Sequence, residues 1–306
     1  MTEKFKASSR GESYAFRARA RGRILAHAGL HKTGSTSLQS SLKSSGLLLP
    51  TARAEFRSED LLARRLNQAR ARGLVVSSEH FLGEMVDFYS GAAGRLAWLC
   101  QEFSPISVIV YLRPHLEWHE SAFSQLIQQG TAMTESEYIR SVEQSPVADF
   151  RELARQITRL NKSASSGMVR WSPDVVEDFS RVIGFNLPQP QKRNPSLHPL
   201  ALEAIRRLTQ TGNFGHIRMR RILGSWAPKT PCVTSIFSER TQSYFIRKHS
   251  EWLETADLLS SFQEVPPGWY EAFQTEIRPS ARDSLSREHL DSMLAALRAQ
   301  SPSVRD

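Results

Sequence analysis

The chain has 306 residues, 40% of them hydrophobic, which is ample for a globular core and too apolar for a disordered polymer. Its two cysteines, Cys100 and Cys232, exclude a disulfide framework or a multi-cysteine zinc site, and are expected to be reduced and structural. No apolar run reaches the ~18–20 residues of a membrane span, and the formal charge of +9 suits an anionic ligand.

Much of that charge is local. Lys4, Lys6, Arg10, Arg17, Arg19, Arg21 and Arg23 face only Glu3 and Glu12 in the first 23 residues. This stretch lacks the apolar segment of a secretory signal, and its two glutamates count against a transit peptide, so a cytoplasmic location is expected. Residues 1–22 read as a basic, flexible arm. Stacking aromatics are not interleaved with the basic residues, so nucleic acid is not an expected partner.

Arg23–Ala28 (RILAHA) is a short apolar run ending at a glycine, as a buried strand would. His27, inside it, reads as a hydrogen-bonded core histidine. Helical patterns follow at Ser35–Lys43 and Glu59–Ala71, then a second strand at Leu74–Ser78 and a helix at Ala92–Phe103. Ser107–Leu112 (SVIVYL) is the clearest strand, β-branched and apolar throughout, as in a parallel sheet covered on both faces. Pro114 suits the first turn of a helix running to about Gln129, on which His115 and His119 are expected to face solvent or the helix surface.

Further helices are expected at Glu135–Val142 and Val147–Leu160, a weaker strand at Gly167–Trp171, and a helix at Asp174–Ile183. Beyond Asn186 the pattern is mostly helical and broken by prolines, ending in an amphipathic helix at Arg287–Ala299. Strands alternating with helices predict an α/β, P-loop-type three-layer fold: a mainly parallel central sheet flanked by helices, with a helical C-terminal part. The expected organisation is the arm, one domain over residues 23–265, and an extension over residues 266–306.

Between the first strand and helix lies Gly29-Leu30-His31-Lys32-Thr33-Gly34-Ser35-Thr36-Ser37. A glycine-punctuated turn entering a helix aims backbone N–H groups at one point, and the helix N-terminus adds positive potential. The glycines keep the spacing of the nucleotide-triphosphatase loop, and Thr36 keeps its hydroxyl. The lysine slot, however, holds Ser35, and the lysine has moved to Lys32. There it can meet the bridging oxygen of a phosphosulfate. The third strand ends in Arg113 and not in a metal-binding Asp, so no metal is expected. Ser121 follows eight residues later, two helical turns along. An arginine fork with a serine hydroxyl suits a second phosphate.

HAGLHKTGSTSLQ resembles the 5′-phosphosulfate loop of sulfotransferases that use 3′-phosphoadenosine 5′-phosphosulfate (PAPS), in particular a bacterial branch. YLRPHLEWHESAFSQLIQQG is similar to that family's 3′-phosphate segment, and the likeness extends from about Arg23 to Ser261. The resemblance implies that His31, Lys32, Thr33, Gly34, Ser35, Thr36 and Ser37 hold the 5′-phosphate and sulfuryl group, and Arg113 and Ser121 the 3′-phosphate. Arg193, with Asn194 and Ser196, would complete that cradle.

Lys32 is the expected stabiliser of the leaving oxygen, supported by His31. Glu79 is the first choice for the base, because it closes the second strand at the edge of the loop; His80 and then His31 follow. A structural salt bridge is the plainer alternative for Glu79. The acceptor would be a hydroxyl or amine of a glycan, lipid or small metabolite. Two other readings compete: a non-catalytic phosphoadenosine- or polyanion-binding module, and a P-loop kinase or ATPase, which lacks its lysine after Gly34.

Overall fold

Ile24–Ala28, Val75–Ser78, Ile106–Tyr111 and Ser166–Arg170 form strands β1 to β4 of one parallel sheet, in the order β2-β1-β3-β4. The computed structural model describes residues 15–30, 33–85, 89–145, 150–160, 165–190, 197–211, 216–224, 234–253 and 276–299. The fold is α/β with a parallel sheet between helices, the architecture expected from the alternating pattern. The chain divides into two compact units.

The first unit comprises residues 1–113, 143–193 and 252–269 and holds the sheet. Strand side chains alternate between faces. On one face Val75, Ile109 and Tyr111 pack with Leu38 and Leu42 of helix α2 (Ser35–Ser44) and Val176 and Phe179 of α8 (Val175–Ile183). On the other, Ala26, Val76, Val108 and Val110 are fully buried. There Ile157 of α7 (Phe150–Arg159) lies over Gly167, the register partner of Val108. Burial on both sides explains why these strands are continuous apolar runs.

Element ends differ from the sequence reading by a residue or so, for local reasons. Leu74 stays outside β2 because its N–H caps α3 (Glu59–Arg72), donating to Ala69 O at 3.0 Å. Helix α4 spans Ala92–Glu102 and carries Cys100, a free thiol raised by burial; Cys232 lies outside the described residues.

Of the expected basic arm, residues 1–14 lie outside the described residues, and residues 15–22 need a correction. Residues 15–20 are helical (α1), and Phe16 is buried in the core, 5.9 Å from the Phe185 ring. Arg17 donates to Gly46 O, and Gly22 N–H to Arg70 O. The arginine density of the stretch hid one aromatic anchor. Replacing Phe16 by Ala is expected to cost about 3–4 kcal/mol in chemical denaturation, whereas a flexible arm would show no change.

A partly buried ion pair, joined by a tyrosine hydroxyl, links β3, β4 and α8. Arg170 donates to Asp178 through Nε (2.5 Å) and NH2 (2.7 Å), and Tyr111 OH donates to the same carboxylate at 2.8 Å. Burial alone would raise the Asp178 carboxyl, but these hydrogen bonds and the Arg170 charge pull it below its usual value. Burial, then the neighbouring carboxylate, pushes the Tyr111 phenol up. Asp178→Asn should destabilise the protein by about 2–3 kcal/mol, less than a wholly buried pair because Arg170 keeps some solvent. The depressed carboxyl stabilises the fold fully above the ordinary Asp value and loses that contribution as pH falls through its lowered pKa. Denaturation curves of Asp178→Asn should lack this acid-side loss.

The second unit comprises residues 114–142, 194–251 and 270–306. It contains α5 (His115–Gln128), α6 (Glu135–Glu143), α9 (Pro199–Thr211), α10 (His216–Leu223), α11 (Glu239–Leu253), α12 (Ala281–Ser284) and α13 (Arg287–Ala299). His115 and His119 do not face solvent. They are 7% and 0% exposed. His119 stacks on Phe245 at 4.0 Å, its Nδ1 is 2.9 Å from Tyr138 OH, and its Nε2 is 3.3 Å from His115 Nε2. Burial and then the neighbouring His115 lower its pKa well below the usual value. His115, Trp118, His119 and Ala122 share the spacing of a buried helical stripe, and the polar character of imidazole masked it. No helix among the described residues is long and apolar enough to cross a membrane.

Candidate functional site

The register of the sheet fixes the site's location. Ala28 pairs with Ser78 and His27 with Ile109, so the segments leaving β1, β2 and β3 emerge at one edge. In open parallel sheets this carboxyl edge is where ligands bind. The β1 segment leads into α2, with Glu79 and His80 following β2 on one side and Arg113 following β3 on the other.

The loop is built around two glycines and one carbonyl. Gly29 N–H donates to Ser78 O at 3.2 Å. Leu30 is fully buried, and its carbonyl accepts from Thr33 Oγ1 at 2.7 Å and Ser35 Oγ at 3.4 Å. A Cβ on Gly29 would stand 2.1 Å from Ser35 Oγ and 2.8 Å from His27 Cε1, so only glycine permits this approach. Gly34 is left-handed at φ 86° and is the N-cap of α2, which has no side-chain cap and no acidic residue in its first turn.

The first backbone bond of α2 runs from Leu38 N–H to Gly34 O. The amides of Ser35, Thr36 and Ser37 precede it and carry the positive end of the helix dipole. Thr33 and Ser35 are buried, Ser37 is half-buried and Thr36 is exposed. Such a terminus accepts a phosphate or sulfate oxygen through backbone donors, without a metal ion.

Of the residues singled out from the sequence, Thr33, Gly34, Ser35, Thr36, Ser37, Glu79, His80 and Arg113 share the one edge of the first unit. Arg113 is half-buried, just beyond Leu112, whose N–H donates to Arg170 O at 2.7 Å. Ser121 lies on α5 in the second unit and is half-buried. His31, Lys32, Arg193, Asn194 and Ser196 lie outside the described residues.

The partners of two histidines were missed in the sequence. His80 Nδ1 is 3.4 Å from Glu84 Oε2, and Glu84 is gripped by Arg53 through Nε (3.0 Å) and NH2 (2.6 Å). Hydrogen bonds from Arg53, outweighing partial burial, hold the Glu84 carboxyl below its usual value. The H-x-x-x-E spacing was a visible signal; Arg53, far away in sequence, was not. The other histidine is His27, with Ser77 Oγ 2.8 Å from its Nδ1. Among the described residues no cluster of three or more His, Cys, Asp or Glu side chains is placed to hold a metal ion.

No family model matches the chain, and no curated protein matches it. Among solved structures, it is similar to the crystal structure of a sulfotransferase from Alicyclobacillus acidocaldarius, at 16% identity over 81% of this chain and 98% of that one, with a TM-score of 0.44. A likeness at that level assigns no activity.

Gly29→Ala should cost about 1–3 kcal/mol in denaturant titrations, the usual range for overpacking. Combining it with Ser35→Ala should recover part of that loss, because the shortest contact is with Ser35 Oγ.

Proposed function

We propose that the chain is a sulfotransferase that moves the sulfuryl group of PAPS onto a hydroxyl or amine of a small-molecule, glycan or lipid acceptor. The observation that carries this reading is the uncapped N-terminus of α2, entered through Gly34 and lying at the same sheet edge as Arg113. That edge offers donors for a 5′-phosphosulfate and a cation for a second phosphate. Ser35 in place of the usual loop lysine argues against a nucleotide triphosphatase.

In the proposed reaction the acceptor oxygen or nitrogen attacks sulfur in line, and the bond from sulfur to the bridging oxygen breaks. The electron pair stays on the phosphate, releasing adenosine 3′,5′-bisphosphate. Charge grows on the bridging oxygen, as in phosphoryl transfer, so positioning and electrostatics supply most of the acceleration. Lys32 takes that charge, with His31 and the amides of the loop in support. Thr33, Ser35, Thr36 and Ser37 orient the phosphosulfate, while Arg113 and Arg193 hold the 3′-phosphate.

Glu79 receives the acceptor's proton. It directly follows β2, and its negative charge is felt by Arg53. His80 is the second candidate, but its contact with Glu84 gives it a structural partner.

Adenosine 3′,5′-bisphosphate should stabilise the protein against heat, by about 2.7 kcal/mol at a hundredfold excess over Kd, and ATP with Mg²⁺ much less. In a cell extract supplied with ³⁵S-labelled PAPS, Lys32→Ala should lower transfer by about 10²–10³-fold, as loss of a charge-stabilising donor does. Greater stabilisation by ATP, or full transfer by Lys32→Ala, would refute the assignment. Nucleotide binding without labelling of any acceptor would point to a binding module.

A further inference from the structure

His27 occupies an unusual place beneath the loop. It precedes Gly29 by two residues, so both positions belong to the same face of β1. Its side chain is fully buried. On one side Nδ1 is fixed by Ser77 Oγ at 2.8 Å, from the residue paired with it in β2. The rings of Tyr111 and Phe179 stand 5.7 and 6.1 Å away. Burial lowers the imidazole pKa to about 3, so the ring is neutral under ordinary conditions. A neutral imidazole carries one N–H donor and one acceptor nitrogen.

The far edge of the ring reaches the loop. His27 Cε1 and Ser35 Oγ both border the hollow left by the absent side chain of Gly29, at 2.8 and 2.1 Å from where its Cβ would stand. Nε2, bonded to that Cε1, is buried and has no hydrogen-bond partner among the described residues. Buried polar atoms are nearly always paired, and an orphan beside a ligand loop requires an explanation. Ser35 Oγ meanwhile donates to Leu30 O at 3.4 Å, a long and weak bond that is readily exchanged.

We infer that His27 is a positioning residue that aims the Ser35 hydroxyl at the bound nucleotide. When the nucleotide binds, Ser77 Oγ–H donates to His27 Nδ1 and His27 Nε2–H donates to Ser35 Oγ. The Ser35 hydroxyl leaves Leu30 O and donates to a phosphate oxygen. No proton is transferred; three hydroxyl and imidazole donors align in one direction. The gain lies in replacing a long neutral bond by a charge-assisted one and in giving Nε2 a partner. This inference rests on the nucleotide-binding reading above.

The test is a titration of the ¹⁵N-histidine-labelled full chain with adenosine 3′,5′-bisphosphate, followed by long-range ¹H–¹⁵N correlation. His27 should be found as the Nε2–H tautomer, and its Nε2 resonance should shift on binding. Ser35→Ala should abolish that shift while the protein stays folded. Calorimetric affinity for the same nucleotide should fall roughly tenfold in Ser35→Ala and in His27→Phe, the worth of about one hydrogen bond. The double variant should lose little more than either alone, because the two residues act in series. His27→Gln, which keeps a donor, should restore part of the affinity. If the His27 variants fail to fold, the wild-type spectra and Ser35→Ala decide the matter. Nucleotide binding with an unmoved Nε2, or with Nε2 unprotonated in the complex, overturns the inference alone. A wild type that binds no nucleotide overturns the functional reading and this inference with it.

Discussion

The close approach at Gly29 is the constraint on which the site depends. With no side chain at that position, the end of β1 lets the start of α2 and the His27 ring both close in on the same point, 2.1 and 2.8 Å from where a Gly29 Cβ would stand. Ser35 Oγ can then find Leu30 O, and Thr33 Oγ1 joins the same carbonyl. A larger residue would collide with the Ser35 side chain and the His27 ring and force both to shift. Gly34 makes the complementary contribution: its left-handed conformation turns the chain into α2 without adding a side chain that would cap the free amides. One glycine sets distance, the other direction.

Charge in the first unit is managed in two ways. Where no ligand is proposed, acids and bases satisfy one another: Asp178 takes Arg170 and Tyr111, and Glu84 takes Arg53 and lies near His80. The start of α2, by contrast, has no acidic residue in its first turn and no side-chain cap. Uncompensated positive potential at a glycine-lined helix terminus is what an anion would stabilise. These acids and bases thus pair with one another, while the amides at the start of α2 have no side-chain cap.

The buried histidines follow a common physical rule with different geometry. In the first unit His27 is held neutral by burial and tied on one side to Ser77. In the second, His119 and His115 share a short contact, and Tyr138 supplies a hydroxyl to the pair. An imidazole can be buried cheaply only when it is neutral and its nitrogens are matched. In the second unit both nitrogens of His119 have partners, Tyr138 and His115, whereas His27 has a described partner only at Nδ1.

Sequence alone determined the α/β class, the four strands to within a residue or two, and the glycine loop, because these depend on local periodicity and on conformations only glycine allows. The strand order β2-β1-β3-β4 was decided by tertiary structure, since parallel pairing joins segments about fifty to eighty residues apart and leaves no local trace. Long-range side-chain contacts were equally illegible. Nothing near Phe16 announces Phe185, nothing near Arg53 announces Glu84, and the polarity of His115 and His119 pointed outward while their neighbours drew them in. Sequence names the groups that can bind an anion; the packing of β1 against α2 decides which of them meet.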